Sequence, residues 1–350
     1  MDILLYLITL LKTRKTVGIT GLGTFYKQKT PGKYDAVQHA FIPPSYSLAF
    51  TKDLKDFKFE KISLSHKDQK MSFLGTIKDS TYKDLNLTFH DVDLEKIIPA
   101  VDSLHFNGKL NGFASLKQNK KIYKPQSNIT IDSLKINKFP IGNFALSIEG
   151  NDAFSQFQVN SSIEQNGNDS FYLNGDIDYN NNQTRLDLIA GLDDFQLAPF
   201  GPLLTDIVSN VRGEATGRAT IKGSITSPEI DGRLYLDESG LTIPYLNTDY
   251  DFEKDAIVDV TEHQFLFRNI KVTDTKYNTK GVLDGSIHHE KLSEWELDLH
   301  LDSNNILALD TKDSKDAYYY GTAFMKGKAS ITGDINALHV KVVGESEKGT

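Results

Sequence analysis

The stretch at residues 217–225, GRATIKGSI, decides the fold, because it returns almost unchanged as GKASITGDI at residues 327–335. A fainter copy, GFASL at residues 112–116, keeps the glycine, the small residue and the branched residue. The leading glycines follow one another at intervals of 105 and 110 residues. Recurrence of this kind is the signature of a repeat protein, so we predict three repeats of about 105 residues.

A strand-like phrase precedes each glycine string: LNLTF at residues 85–89, LDLIA at 186–190 and LDLHL at 297–301. Apolar residues alternate with polar ones from residue 57 onward, which places them on one face of a sheet. The apolar rows are our candidates for a binding surface. These candidates are Leu85, Leu87, Phe89, Ile129, Ile131, Phe171, Leu173, Leu186, Leu188, Ala219, Ile221, Leu234, Leu236, Phe265, Phe267, Leu297, Leu299, Leu301, Ala329, Ile331, Val340 and Val342.

An apolar sheet face has to be covered, and the pattern leaves two ways open. Two sheets can close on each other as a β-sandwich, which gives an interaction scaffold. Alternatively one sheet curls into an open trough that an apolar ligand fills, since monomers rarely expose more than a few hundred Å2 of contiguous apolar surface. At ~10–13 residues per strand, we expect the stacked strands to extend very roughly 110–140 Å.

Charge is distributed unevenly along the 350 residues, whose net charge is −8. Residues 1–50 carry six basic and two acidic side chains, whereas the remainder carries 33 basic and 45 acidic ones, a net charge of −12. This balance disfavours nucleic acid or anionic lipid headgroups as partners of the larger part. Cysteine is absent, so thiolate and disulfide chemistry are excluded.

The first 56 residues form a separate α+β module in our prediction. A short amphipathic helix ends in basic residues 12–15, and glycine- and proline-punctuated strands follow at 17–26 and 40–50. The segment resembles the HU/IHF family, in particular the bacterial CCDC-type HU domains, although the first helical hairpin is missing. The resemblance implies weak nucleic-acid contacts by Lys27, Lys29 and Lys33; we favour a solvated docking module instead.

Residues 57–350 resemble the TamB/AsmA-like superfamily. The resemblance rests on the sequence pattern VRGEATG…IKGSITSPEIDGRLYL at residues 211–236. Residues 241–250 and 269–274 also match the pattern of the family. It implies a mainly β, elongated curled sheet, a taco-like groove with an apolar lumen. It further implies a non-enzymatic protein of the periplasm that binds phospholipid acyl chains, conducts lipids between the inner and outer membranes and assists outer-membrane assembly.

Both ends of the chain depart from whole members of that family. The HU-like segment stands in place of an inner-membrane anchor, with no signal peptide or transmembrane helix in the sequence, and the region that meets an outer-membrane barrel assembly protein is absent. We therefore expect a truncated or chimeric gene model as one explanation. The resemblance implies no cofactor and no metal.

Three clusters contain residue types that occur in catalytic or metal sites, but each has a simpler structural interpretation. His288 and His289 are adjacent in the sequence and would point to opposite faces of a strand, so they cannot easily share one metal ion. We expect instead a turn position with both rings solvated. Asp193 and Asp194, like the pair at 91 and 93, are expected in polar turns or caps. Residues 93–103 and 198–210 are the two stretches of the larger part that could be helical, and their prolines keep both short.

Overall fold

The computed structural model of the chain describes residues 16–19, 23–30, 33–35, 40–42, 45–51, 57–98, 104–204, 208–290, 293–312 and 320–346. The N-terminal strands are β1 (Thr16–Ile19), β2 (Gly23–Thr30), β3 (Lys33–Asp35), β4 (Ala40–Ile42) and β5 (Ser45–Thr51). β1, β2 and β5 form one antiparallel sheet, and β3 pairs with β4. The helix predicted before residue 16 lies outside the described residues.

One long antiparallel sheet occupies residues 57–346, which we call the body. The alternation of apolar and polar residues explains why these segments are strands, since one face of each is apolar and the other polar. The strands are β6 (Phe57–His66), β7 (Gln69–Lys78), β8 (Tyr82–Asp93), β9 (Phe106–Asn119), β10 (Ile122–Ile136), β11 (Phe139–Gly150), β12 (Gln156–Gln165), β13 (Asn168–Asn180), β14 (Gln183–Gln196), β15 (Ser209–Ser224), β16 (Ser227–Ile243), β17 (Thr248–Phe252), β18 (Ala256–Thr261), β19 (Gln264–Asp274), β20 (Lys280–Glu290), β21 (Ser293–Thr311), β22 (Gly321–Asp334) and β23 (His339–Glu345).

Strand order follows the sequence, so each strand pairs with its neighbours along the chain. β17 and β18 share one strand position, because both pair with β16 on one side and with β19 on the other. Registers of paired residues run from β6–β7 to β22–β23, and within the described residues none joins β23 back to β6. The strand pairings therefore form a closed ring only locally in the described residues, where β16 pairs with β17 and β18 and both of these pair with β19.

The three repeats predicted from the glycine strings are present as three equivalent strand pairs. The strings lie in β9, β15 and β22, and their branched residues stand opposite Leu85, Leu188 and Leu299 on the preceding strands. The strand phrases begin at residues 85, 186 and 297, but the residues equivalent to Leu85 are Leu188 and Leu299. The position-by-position comparison of the phrases was therefore wrong by two residues between the first repeat and the other two. A shift by an even number of residues leaves every side chain on its predicted face.

Each of the two stretches that could be helical contains a short 3₁₀ helix among its described residues. The stretch 93–103 contains one 3₁₀ helix, Leu94–Lys96, and the stretch 198–210 contains another, Ala198–Leu204, with Pro202 inside it. A proline lacks the N–H that a continuing α-helix requires, and short 3₁₀ segments are the usual form of such connections. Both segments join the two strands of a repeat's equivalent pair.

Asn-Gly and Asp-Gly pairs can mark either turns or glycines inside strands, and most of those in the body are inside strands. Asn166-Gly167 connects two strands, whereas Gly108, Gly175, Gly232 and Gly285 are inside β9, β13, β16 and β20. Gly175 and Gly285 adopt φ of 144° and 127°. A Cβ at either position would lie within 2.2 Å of a backbone oxygen on the next strand, so the strands approach closely because these residues are glycines.

The extent of the sheet also differs from expectation. Strands reach 19 residues in β21 and 17 in β16, beyond the 10–13 that we assumed. Fewer strands therefore cover the same chain length, and at ~4.8 Å per strand the body extends about 80 Å along the stacking direction.

Candidate apolar groove

Every residue predicted to line the groove lies on one face of the sheet. Directly opposed residues of an antiparallel sheet point to the same side, so the registers can be followed from strand to strand. One such row contains Leu87, Ala114, Ser127, Ile148, Val159, Gly175, Leu188, Ile221 and Ile230. Corresponding rows continue through β18 to β23. We call this side the groove face.

Burial along the groove face is graded. Leu188, Leu236 and Leu297 are buried, Val340 and Val342 at the last strand are 58% and 59% exposed, and the other predicted residues are half-buried. A half-buried apolar row is what an open trough presents. In a closed sandwich two sheets would cover each other, whereas the described body is one sheet.

β-Bulges mark one long margin of the groove. Four of them, in β8, β10, β14 and β19, lie in strands that run in one direction, and each of these four leaves groove-face residues three positions apart instead of two. In each, a residue in the left-handed region donates its N–H to a side-chain oxygen on the next strand. These bonds join Asp91 to Asn111 (2.8 Å), Ser133 to Asn143 (3.0 Å), Asp194 to Thr216 (3.0 Å) and Asn269 to Asp284 (2.8 Å).

The aspartates predicted in turns therefore belong to these bulges. Asp91 and Asp194 have φ of 50° and 47° and lie within β8 and β14. For these two residues the prediction of a turn or cap was wrong, because an apolar-polar-polar-apolar run resembles a chain reversal in sequence while the strand pairing carries it straight through. Aspartate suits the position because its short side chain tolerates the left-handed region. Asp93, by contrast, is the N-cap residue of the first 3₁₀ helix.

Beyond the bulges the groove face is closed, and we call this side the closed margin. Leu134, Phe195 and Ile270, each just past a bulge, are no more than 8% exposed. Leu94 of the first 3₁₀ helix and Phe200 of the second pack into the same apolar cluster as Leu134. The opposite strand ends, at the turns 79–81, 120–121 and 181–182, form the open margin.

An apolar cavity lies in the groove near its C-terminal end, with a volume of ≈ 210 Å3. Apolar residues of β16 and β17, including Leu241 and Ile243, line it together with residues of β21 to β23. Strands far apart in the sheet therefore face each other, which shows that the sheet curls. Seven of the predicted groove residues line this cavity: Leu297, Leu299, Leu301, Ala329, Ile331, Val340 and Val342.

Hydrogen bonds across the groove hold this curl. The Tyr250 hydroxyl donates to the carbonyl of Leu307 at 2.6 Å, and the N–H of Asp310 donates to the carbonyl of Leu246 at 3.0 Å. Desolvation raises the pKa of Tyr250, so its hydroxyl stays a donor at neutral pH. These contacts join β17 and its preceding turn to the far end of β21.

The sequence missed an aromatic cluster on the groove face at the open margin. His289 is 6% exposed and packs against Phe265 (5.5 Å between ring centroids) and Trp295 (5.4 Å). Burial lowers the pKa of His289, and the nearby His263 lowers it further. The prediction that both adjacent histidines are solvated in a turn was wrong, since both lie in β20 and His288 is half-buried on the other face.

The lysines considered for nucleic acid lie in the N-terminal strands. Lys27 and Lys29 are in β2, opposite Leu48 and Tyr46 of β5, and Lys33 is in β3, opposite Ile42. Their role in binding stays a prediction.

Comparison with known proteins gives three family matches. A family model described as TamB, N-terminal domain, matches residues 46–236, and one described as TamB C-terminal domain matches residues 268–350. A model described as CCDC81-like prokaryotic HU domain 1 matches residues 1–56. No curated protein and no solved structure matches the chain. Among the residues that the structure describes, no helix has the length and apolar character to cross a membrane.

Proposed function

Because this chain belongs to the TamB family of envelope proteins, we propose that its groove conducts phospholipids between membranes, with their acyl chains on the groove face. The family is generally non-enzymatic. The headgroups travel along the open margin, in water. We also propose, from the family relation, a periplasmic location and work beside an outer-membrane barrel assembly protein.

The continuity of the groove face carries this proposal. Apolar residues follow one another from β6 to β23 across all three repeats, with the closed margin sealing one side. Covering an acyl chain releases about 0.8 kcal/mol per CH2 group, which explains why a lipid in bulk water meets a high barrier. A continuous trough removes that barrier over its whole length.

A lipid that moves along the groove exchanges its apolar contacts in one repeat for equivalent apolar contacts in the next. Equivalent strand pairs present Leu85, Leu188 and Leu299 in the same register, so a chain that leaves one repeat finds the same surface in the next. The ≈ 210 Å3 cavity is large enough for a segment of acyl chain, since an apolar cavity of about 150 Å3 already binds benzene.

Site-specific photo-crosslinking tests the proposal. A diazirine side chain at Leu87 or Leu299, on the groove face, should capture phospholipid when the full chain is extracted from cells or mixed with phosphatidylglycerol micelles. The matched controls are Thr88 and His300, the adjacent residues on the outer face. Equal lipid capture on both faces, or capture by neither, would refute a lipid groove.

A further inference from the structure

Lys83 places a positive charge on the groove face at the open margin. It is the second residue of β8 and stands opposite Ile77 on one neighbouring strand and Gln118 on the other. Among the groove-face positions that the registers define in the described strands, Lys83 is the one lysine or arginine. It is half-buried, so its aliphatic stem covers the groove while the ammonium lies at the rim.

Gln118 fixes the position of this ammonium. The Gln118 side chain is buried, and its Nε2 lies within hydrogen-bond distance of the carbonyls of Ser80 (2.9 Å) and Lys120 (2.8 Å) and of the Tyr123 hydroxyl (3.0 Å). The amide orientation is thereby set, and its Oε1 accepts from Lys83 Nζ. Asp79 lies close enough to interact with the charge of Lys83, but within the described residues no carboxylate forms an ion pair with it, so the ammonium can still bind an external anion.

The internal repeats show that the groove itself does not require this pair. By register, Lys83 and Gln118 correspond to Leu186 and Gly223 in the second repeat. They correspond to Leu297 and Gly333 in the third repeat. The second and third repeats therefore have a leucine and a glycine at these two positions. The first repeat has a lysine and the glutamine whose side-chain amide holds it.

The surroundings of Lys83 are basic although the body as a whole is acidic. Residues 78–84 and 117–124, which adjoin at this margin, hold six lysines and two aspartates, a net charge of +4. A surface cleft of ≈ 190 Å3 includes Lys83, Lys117 and Lys124 together with Asp84. The overall charge of −12 in residues 51–350 led us to disfavour anionic headgroups, and this margin is a local reversal of that balance.

We propose that Lys83, held by Gln118, binds the phosphate of a phospholipid whose acyl chains lie in the groove. The inference rests on the proposed function and adds an anionic headgroup site to it. A lysine ammonium is a compact point charge suited to phosphate oxygens, and hydrogen bonds between charged groups are the strong ones. The site lies in the first repeat, so headgroup selection takes place at that end of the groove.

The test compares two lipids that share their acyl chains. Dioleoyl phosphatidylglycerol and dioleoylglycerol, each in neutral detergent micelles, are offered to the full chain, and bound lipid is counted by native mass spectrometry. We expect the wild type to prefer the phospholipid and Lys83→Gln to lower that preference about fivefold, without loss of dioleoylglycerol. Lys83→Arg should keep the preference, because it keeps the charge.

Lys222→Gln is the matched control, since Lys222 lies on the outer face at the equivalent margin of the second repeat; its preference should equal that of the wild type. An unchanged preference in Lys83→Gln, with both lipids bound, would overturn the headgroup site and leave the groove standing. Binding of neither lipid by the wild type would overturn the groove and the headgroup site together. If inorganic phosphate binds the lipid-free protein through Lys83 while the two lipids bind equally, the site serves a free anion and the headgroup assignment fails.

Discussion

At the residue scale, Arg212 joins β15 to β17 through several charged hydrogen bonds. Its Nη1 and Nη2 contact the two carboxylate oxygens of Asp249 at 3.0 Å each, and Nη2 contacts Asp251 at 2.5 Å. The guanidinium lies over Gly240, where an added Cβ would come within 2.5 Å of it. The planar fork of arginine matches a carboxylate in a way that the ammonium of lysine does not.

We therefore expect Arg212→Lys to lower the free energy of unfolding by about 1–2 kcal/mol, because half-buried charged hydrogen bonds are lost. Chemical denaturation followed by circular dichroism measures this. Arg233→Lys is the control: Arg233 pairs with Asp259 at 2.7 Å but is half exposed, so water screens the pair and this substitution should destabilise the protein less. Equal destabilisation by both substitutions would contradict the role given to the Arg212 contacts.

The same contacts predict a dependence on pH. Burial alone would raise the pKa of Asp249, yet hydrogen bonds from Thr242 and Arg212 outweigh it and hold the pKa below its usual value. A carboxyl with a lowered folded pKa stabilises the protein above the unfolded pKa, near 3.8, and this stabilisation is lost as pH falls through the folded pKa. Arg212→Lys should weaken that acid-dependent loss.

Residue identity alone could not have revealed some of these roles. Lys83 alternates with Leu85 and Leu87, so the sequence already places it on the groove face, but its contact with Gln118 depends on a register that only strand pairing defines. Asp274 is fully buried and accepts hydrogen bonds from the N–H groups of Lys276, Tyr277 and Thr279, whereas its sequence context suggests a solvated turn. The groove residues were predictable because period-2 alternation reports the face directly.

At the element scale, the bulges decide which parts of the strands are open and which are closed. Each adds one residue to a strand, so the strand bends and twists more strongly beyond it. That bend brings Leu134, Phe195 and Ile270 into the buried clusters. Asparagine, aspartate or serine in the left-handed position is the signal in the sequence, but a turn carries the same signal, so strand pairing is needed to tell them apart.

Substitution of the left-handed residue tests this element. Asn269 has φ of 51° and lies in the bulge of β19. We expect Asn269→Val to destabilise the protein by about 1–2 kcal/mol, since the left-handed region is costly for a residue with a branched Cβ. Arg268→Val, its neighbour outside the left-handed region, should have a smaller effect. Thermal unfolding compares the two, and a larger loss from Arg268→Val would contradict the bulge assignment.

At the scale of the whole molecule, the groove works as a series of equivalent sites. A lipid that crosses it passes every repeat, so one carboxylate among the apolar residues of the groove face, away from the margin where Lys83 lies, should obstruct the entire path. We expect Leu87→Asp, Leu173→Asp and Leu299→Asp each to lower phospholipid transfer by about tenfold, because an unpaired carboxylate disfavours acyl chains. Transfer of fluorescent phosphatidylglycerol between donor and acceptor vesicles measures the rate.

The matched controls place the same charge on the outer face. Asn86→Asp and Asn174→Asp change residues next to Leu87 and Leu173 in β8 and β13. They should leave the transfer rate unchanged. Circular dichroism confirms that each variant is folded before its rate is compared. A loss in one of the three variants alone, with normal transfer in the other two, would contradict a serial path.

The fold class and its repeats were predictable at this scale, because the glycine strings lie in equivalent strands and the alternation extends through the whole body. The length of the sheet along its stacking direction could not be predicted, because the alternation of apolar and polar residues does not show where a strand ends. Long strands such as β16 and β21 pass through glycines and bulges that resemble breaks in the sequence. The division of one strand position between β17 and β18 likewise has no sequence signal that we recognise.

Pairing between neighbours along the chain has one more consequence. Strands alternate in direction, and the four bulges in β8, β10, β14 and β19 lie in strands of one direction. A hairpin is therefore the smallest piece that can be inserted or removed without reversing the direction of all later strands. Loss of a single strand would exchange the two margins downstream of it. Duplication or deletion of hairpins would therefore change the distance that the protein bridges, in steps of two strands, while its cross-section stays the same.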